Sequence, residues 1–236
     1  MTQVAEEPSL TRRRILKKVT LGLAVAVGLV ATVWFLLIPH WRPPLQDGER
    51  YGVDVSNHQG EIDWNQVAAD DIDFAYIKAS EGQGWIDASF ERNWAEAGRV
   101  GLDRGVYHFF TLCAPGEDQA RHFLDVAPPT AGALPPAIDI EFPGNCSARP
   151  PADEVATEVD TFIAMVEEAW GQEIIVYVDH RWESQYPVKE RLDRDQWQLR
   201  LLLRPNEDWH IWQIHGRASV DGVDGGVDLN VMASPK

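Results

Sequence analysis

Cysteine is scarce in this 236-residue chain: there are two, Cys113 and Cys146, and no histidine stands at ligand spacing to them. That argues against a zinc site. Basic residues are also few, 21 Lys and Arg against 37 Asp and Glu. The net charge of −16 repels phosphate backbones, which argues against nucleic acid as a partner. No glycine-rich loop follows the first strand-like segment, so the usual phosphate cradle of a nucleotide-binding sheet is missing. No Ser or Cys sits in a nucleophile-elbow context, so acyl transfer has no support. Internal repeats and low-complexity tracts are absent as well. What remains is the composition of an ordinary globular protein, 44% hydrophobic and 25% charged.

Charge is unevenly placed. Residues 1–18 carry Arg12, Arg13, Arg14, Lys17 and Lys18, and no charged residue follows from Val19 to Ile38. About 20 helical residues cross a bilayer core. The basic flank predicts a cytoplasmic start, and Trp34 and Trp41 lie near the far end, where interfacial aromatics belong. A cleaved signal peptide is the rival reading. Its apolar stretch is shorter and ends in small residues, whereas this one ends Phe35-Leu36-Leu37-Ile38-Pro39. The expected layout is a basic cytoplasmic segment at 1–18, a transmembrane helix at 19–38, a Pro-containing stalk at 39–50 and a catalytic domain at 51–236. That domain would lie periplasmic or extracellular, held at the bacterial cytoplasmic membrane by a single pass. Both cysteines fall in it. An oxidising compartment permits a disulfide, and two buried free thiols are the alternative.

Beyond residue 50, strand-like and helix-like segments alternate. Strands are expected at 51–56, 73–79, 105–110, 136–142, 173–178, 198–203, 210–214 and 226–232. The clearest helix follows the fourth strand, with Val155, Val159, Phe162, Ile163, Val166 and Trp170 at three- to four-residue spacing. The last third has little helix. Alternation of this kind predicts a parallel sheet with right-handed crossovers, closed into an irregular TIM-like α/β barrel of eight strands with about five helices. An open doubly wound sheet is the alternative.

In such a barrel, acidic side chains at strand C-termini are the catalytic candidates. Asp54 ends the first strand, Asp139 and Glu141 end the fourth, and Asp228 lies in the last. Closure would make Asp228 a neighbour of Asp54. Residues two apart in a strand share a face, about 6–7 Å apart, so Asp139 and Glu141 point the same way. Mutual repulsion raises the pKa of one and makes it a proton donor near neutrality, with the other as its charged partner. Glycoside hydrolysis uses such a pair. A solvated loop pair or a metal site fits Asp-x-Glu equally well at this point.

Several phrases, in order, resemble the glycoside hydrolase family 25 lysozymes, the Chalaropsis-type muramidases. They are Gly52-Val53-Asp54-Val55-Ser56 with His58-Gln59-Gly60, Ile77-Lys78-Ala79-Ser80-Glu81-Gly82, Asp87-x-x-Phe90-x-x-Asn93, Gly105-Val106-Tyr107-His108-Phe109, Asp139-Ile140-Glu141, Ile211-Trp212-Gln213 and Val227-Asp228-Leu229-Asn230. The match runs from about Tyr51 to Met232. The resemblance implies cleavage of the β-1,4 bond between N-acetylmuramic acid and N-acetylglucosamine in peptidoglycan. It implies Glu141 as general acid, Asp139 as its partner, Asp54 and Asp228 as flanking aspartates, and Tyr107, Tyr177 and Trp212 as groove aromatics. Lys78 is a candidate to pair with a site carboxylate, and His58 and His108 read as hydrogen-bonding supports. The chain departs from the family at Ile214-His215, in the loop around Cys146, and in its N-terminal span. A Cys113–Cys146 bond would tie the loops after the third and fourth strands together beside Glu141.

Two other functions compete. One is a barrel that grips cell-wall glycan without cutting it. The other is a metal-dependent hydrolase using the four carboxylates as ligands. The leading expectation needs no cofactor, no metal and no obligate protein partner, only peptidoglycan strands and a membrane.

Overall fold

The computed structural model describes residues 10–206 and 208–234, so residues 1–9 of the expected basic segment lie outside it. The chain divides into two units, the first ending at Arg42 and the second beginning at Pro43. The first is a helix, α1 (Leu10–Thr32), continued by a π turn over Val33–Leu37 and a 3-10 turn over Ile38–His40. Its stretch Lys17–His40 has 24 residues and a mean hydropathy of 2.6, long and apolar enough to cross a membrane. An N-terminal signal sequence has the same properties.

The second unit is a closed barrel. Its strands are β1 (Arg50–Val55), β2 (Phe74–Glu81), the two-residue β3 (Trp85–Ile86), β4 (Asp103–Phe109), β5 (Ala137–Ile140), β6 (Ile175–Val178), β7 (Gln196–Leu199), β8 (Ile211–Ala218) and β9 (Val227–Met232). Eight of them close in the order β1-β9-β8-β7-β6-β5-β4-β2, with β2 pairing back to β1, while β3 is a flap on the end of β2. Among the described residues six helices accompany them: α2 (Trp64–Ala69), α3 (Phe90–Arg99), α4 (Gly116–Val126), α5 (Ala152–Trp170), α6 (His180–Gln185) and α7 (Lys189–Leu192). The last two are single short turns, which is the thin final third expected from sequence.

The barrel is mixed rather than wholly parallel. β9 runs antiparallel to both β8 and β1. The sequence pattern ended the seventh strand at 214, but β8 continues through Gly216 to Ala218. Only residues 219–226 then remain before β9, too short for a parallel crossover. β7 also starts earlier than expected. The run Leu199, Leu201 and Leu203 reads as strand, yet all three are exposed, and the backbone turns left-handed at Leu202 with φ 58°.

Strand alternation sorts the side chains into two compartments. Outward residues such as Val53, Ile77, Val106, Ile138, Ile140, Val176 and Ile214 pack under the helices. Inward residues Phe74, Tyr76, Ile175, Trp197, Ile211 and Met232 fill the closed floor of the lumen. Glycine makes that floor possible: a Cβ at Gly52 would overlap the Phe74 ring, and one at Gly105 the Tyr76 ring.

Within the 39–50 segment expected as a Pro-containing stalk, residues 43–49 pack on the barrel. Arg204 pairs with Glu49 and donates to the Pro44 carbonyl at 3.2 Å, and Tyr51 Oη donates to the Pro43 carbonyl. Cys113 and Cys146 are disulfide-bonded, with Cα atoms 6.2 Å apart, and no free cysteine remains.

Candidate active site

The inward face changes character along each strand. On β5 it runs Ala137, Asp139, Glu141; on β1, Gly52, Asp54; on β2, Phe74, Tyr76, Lys78. Above the aromatic floor these side chains border a cavity of about 800 Å³. Asp54, Asp139, Glu141 and Asp228 all line it. Closure makes Asp54 and Asp228 direct partners in the β1–β9 ladder. Because β9 runs antiparallel, its first residues stand at the mouth, and this is why an aspartate at the start of the last strand meets one near the end of the first.

Each carboxyl has a different environment. Asp54 Oδ2 accepts from Asn230 Nδ2 at 2.8 Å, and Asn230 Oδ1 accepts from Trp197 Nε1 at 3.0 Å, which fixes the amide. Asp228 Oδ1 accepts from Gln213 Nε2. Asp139 Oδ1 is buried with no partner. Burial is the main cause lifting all four pKa values. Asp228 adds repulsion at Asp54, and Glu141 adds it at Asp139. Glu141 is pushed up to about 7, by burial first and then by Asp179 and Asp228, with Lys78 and Arg181 pulling the other way. Sequence reasoning expected one lifted acid beside one ordinary carboxylate; Asp139 is lifted as well.

Tyr107 and Tyr177 face the cavity, as expected. Burial and the surrounding carboxylates raise both phenols, so they stay neutral. Lys78 also lines the cavity, but its ion pair is with Glu81 at 2.8 Å, and it lies 4.7 Å from the Phe109 ring centroid. Trp212 is a correction. It occupies the outward phase of β8, is 1% exposed in the core beneath the helices, and donates to the Arg200 carbonyl at 2.8 Å. The inward phase of β8 carries Ile211 and Gln213, and the tryptophan bordering the cavity is Trp197. Gln213, Trp197 and Asn230 were missed as site residues. The period of two would have found Asn230 from Asp228, and Gln213 from the apolar Ile211.

His58 lines the mouth and bonds Ser56 Oγ at 2.8 Å through Nδ1. His108 points outward, into the layer under the helices. A second anchor lies beside Glu141: Asn145 Nδ2 donates to the carbonyls of Glu141 at 3.0 Å and Phe110 at 2.7 Å, next to the disulfide at Cys146. Among the described residues, no three His, Cys, Asp or Glu side chains converge as a metal-ligand group.

Comparison with known proteins turns this geometry into a family assignment. The model of glycosyl hydrolases family 25 matches residues 53–223. This chain belongs to glycosyl hydrolase family 25. It is therefore a glycosidase of lysozyme type. It is 33% identical to Escherichia coli (strain K12) YegX over 201 residues, covering 77% of this chain and 69% of that protein. Lysozyme M1 of Streptomyces globisporus is 29% identical, with 76% of this chain and 66% of that one covered. The family 25 glycosyl hydrolase structure from Bacillus anthracis superposes with a TM-score of 0.74 at 32% identity, over 84% of this chain and 94% of that one. A bacterial lysozyme from Streptomyces coelicolor gives 0.72 at 27%, over 80% and 94%. The family 25 barrel is thus matched across nearly the whole of those solved chains.

Proposed function

We propose that the protein is a membrane-anchored N-acetylmuramidase that cuts the β-1,4 bond between N-acetylmuramic acid and N-acetylglucosamine in peptidoglycan, outside the cytoplasm. The observation that carries this reading is the pair Asp139 and Glu141 on one inward face above an aromatic floor. Glu141, neutral up to a pH of about 7, donates its proton to the leaving glycosidic oxygen. Asp139 brings an unpartnered buried oxygen to the cavity and orients the acetamido group of the sugar or the incoming water. Asp54 and Asp228, each held by an amide donor, complete the ring of carboxyls around the sugar carbon and share the protons that burial retains there. Tyr107, Tyr177 and Trp197 offer rings to sugar faces.

The apolar helix is the anchor in this reading. The disulfide supports an oxidising compartment, as does the wall substrate. The test is a digest of purified peptidoglycan by the full-length protein in detergent, with products read by mass spectrometry. Soluble fragments ending in reducing N-acetylmuramic acid are expected. Fragments ending in N-acetylglucosamine would reassign the bond, and tight glycan binding without turnover would support the gripping barrel instead.

A further inference from the structure

The inward phase of β6 does not end with Tyr177. Ile175 and Tyr177 face the lumen, and the next position in phase is Asp179, the first residue after the strand. In the β5–β6 ladder Asp139 pairs with Tyr177, so continuing the register sets Glu141 beside Asp179. Adjacent strands are about 4.8 Å apart. The alignment is held by backbone: Asp179 N donates to the Ile140 carbonyl at 3.1 Å. The carboxylate is fixed too. Its Oδ1 accepts from the Arg181 backbone N–H as the N-cap of α6, and the side chain is only 8% exposed. Its Oδ2 is buried with no hydrogen-bond partner, the Arg181 Nε lying 3.5 Å away. That contact is an ion pair without a hydrogen bond, and the exposed His180 brings its Nδ1 to 3.6 Å of Oδ1, so a buried carboxylate oxygen is left without a hydrogen-bond donor, which is costly. The cap of α6 does not need the charge, since an uncharged cap would satisfy the helix equally, and its ion-pair partners Arg181 and His180 are both exposed.

We propose that Asp179 is a positioning residue for hydrolysis, a fixed negative charge beside Glu141 that keeps the general acid protonated until the glycosidic oxygen arrives. This rests on Glu141 being the proton donor. Asp179 does not touch the reacting atoms; it acts through its neighbour. Other charges also face Glu141: Asp139 on its own strand, Asp228 from β9, Asp54 from β1, Lys78 with its partner Glu81 from β2, and Arg181 from α6. Burial raises Glu141 most, repulsion from Asp179 and Asp228 follows, Asp139 repels it from the same face, and Arg181 acts in the opposite sense. Arg181 is 59% exposed, so its influence is screened by solvent and smaller.

The test uses this difference of sign in the full-length protein in detergent, on a soluble glycan fragment. Asp179→Asn retains the capping oxygen and removes the charge. It should move the alkaline limb of the kcat/KM profile down by roughly half a unit to one unit. Asp179→Ser should move it the same way, and Arg181→Gln should move it up by less. High salt should shrink the Arg181 effect first. An unmoved limb in both Asp179 variants, or shifts of the same sign for Asp179→Asn and Arg181→Gln, would overturn the proposal, because a loosened loop has no reason to give opposite signs. The Glu141 carboxyl resonance, followed by carbon-13 NMR in the same variants, reads the coupling without turnover. An inactive wild type with a shifted Glu141 titration would therefore count against the muramidase reading and for the Asp179 coupling.

Discussion

His108 and Asp139 stand on adjacent strands of one wall, face opposite ways, and have their buried polar atoms treated in opposite ways. His108, turned outward, is 0% exposed and stacks on Phe162 at 4.9 Å. Its Nδ1 meets Ser80 Oγ at 2.9 Å and its Nε2 meets Gln119 Oε1 at 3.2 Å. Burial pushes its pKa down to about 3, so the ring is a neutral strut. Asp139, turned inward, keeps an oxygen with no partner. At these two positions the outward polar group is satisfied on both ring nitrogens, as a structural group should be, while the inward one keeps an oxygen free for a ligand.

That contrast can be broken from either side. Glu141→Gln should have the largest effect on turnover, a fall of about 10²–10⁴-fold in kcat with the melting temperature kept or raised, measured as release of reducing ends. Phe162→Ala, on the outer side, should cost about 3–5 kcal/mol in stability, read by denaturant unfolding, while the molecules that stay folded keep their activity per mole. Replacing Cys113 and Cys146 by Ser should cost about 2–4 kcal/mol and slow turnover modestly, because the bridge lies beside the Asn145 anchor of Glu141.

The mouth should also show in the pH dependence of stability. Its carboxyls hold protons in the folded chain that the unfolded chain has lost, so this contribution is fully present below about pH 4 and is lost as pH rises through about 7 for Glu141. Asp54→Asn should therefore raise the melting temperature at pH 8 by a few degrees, roughly 2–4 °C for each kcal/mol gained. His108 has the opposite sign: stability is lost as pH falls from about 6.5 toward about 3. The smallest expected effect is that of a chelator, which should leave turnover unchanged; a loss restored by added divalent cation would favour the metal-dependent alternative.

Much of this contrast is legible in the sequence, because a period of two needs no tertiary information. It put Asp139 and Glu141 on one face and Ile140 on the other, and closure of the sheet brought Asp228 to Asp54. The same rule, applied to β8, would have turned Trp212 outward and Gln213 inward; the resemblance, read without that phase, set Trp212 in the groove. The period of two also places Asn230 inward beside Asp228, but not its bridge from Trp197 to Asp54. Asp179 escaped altogether, because its place depends on the register of β6 on β5, which local pattern does not carry. The reversed direction of β9 was hidden by Gly216, which breaks the apolar alternation without breaking the strand.

The central claim is that burial and neighbouring charge hold Glu141 neutral where an ordinary glutamic acid has already ionised. Carbon-13 NMR of glutamate-labelled full-length protein, with the Glu141 signal assigned by its loss in Glu141→Gln, measures this directly. A midpoint near 7 is predicted, and a midpoint near the usual glutamate value of about 4.3 would contradict the account.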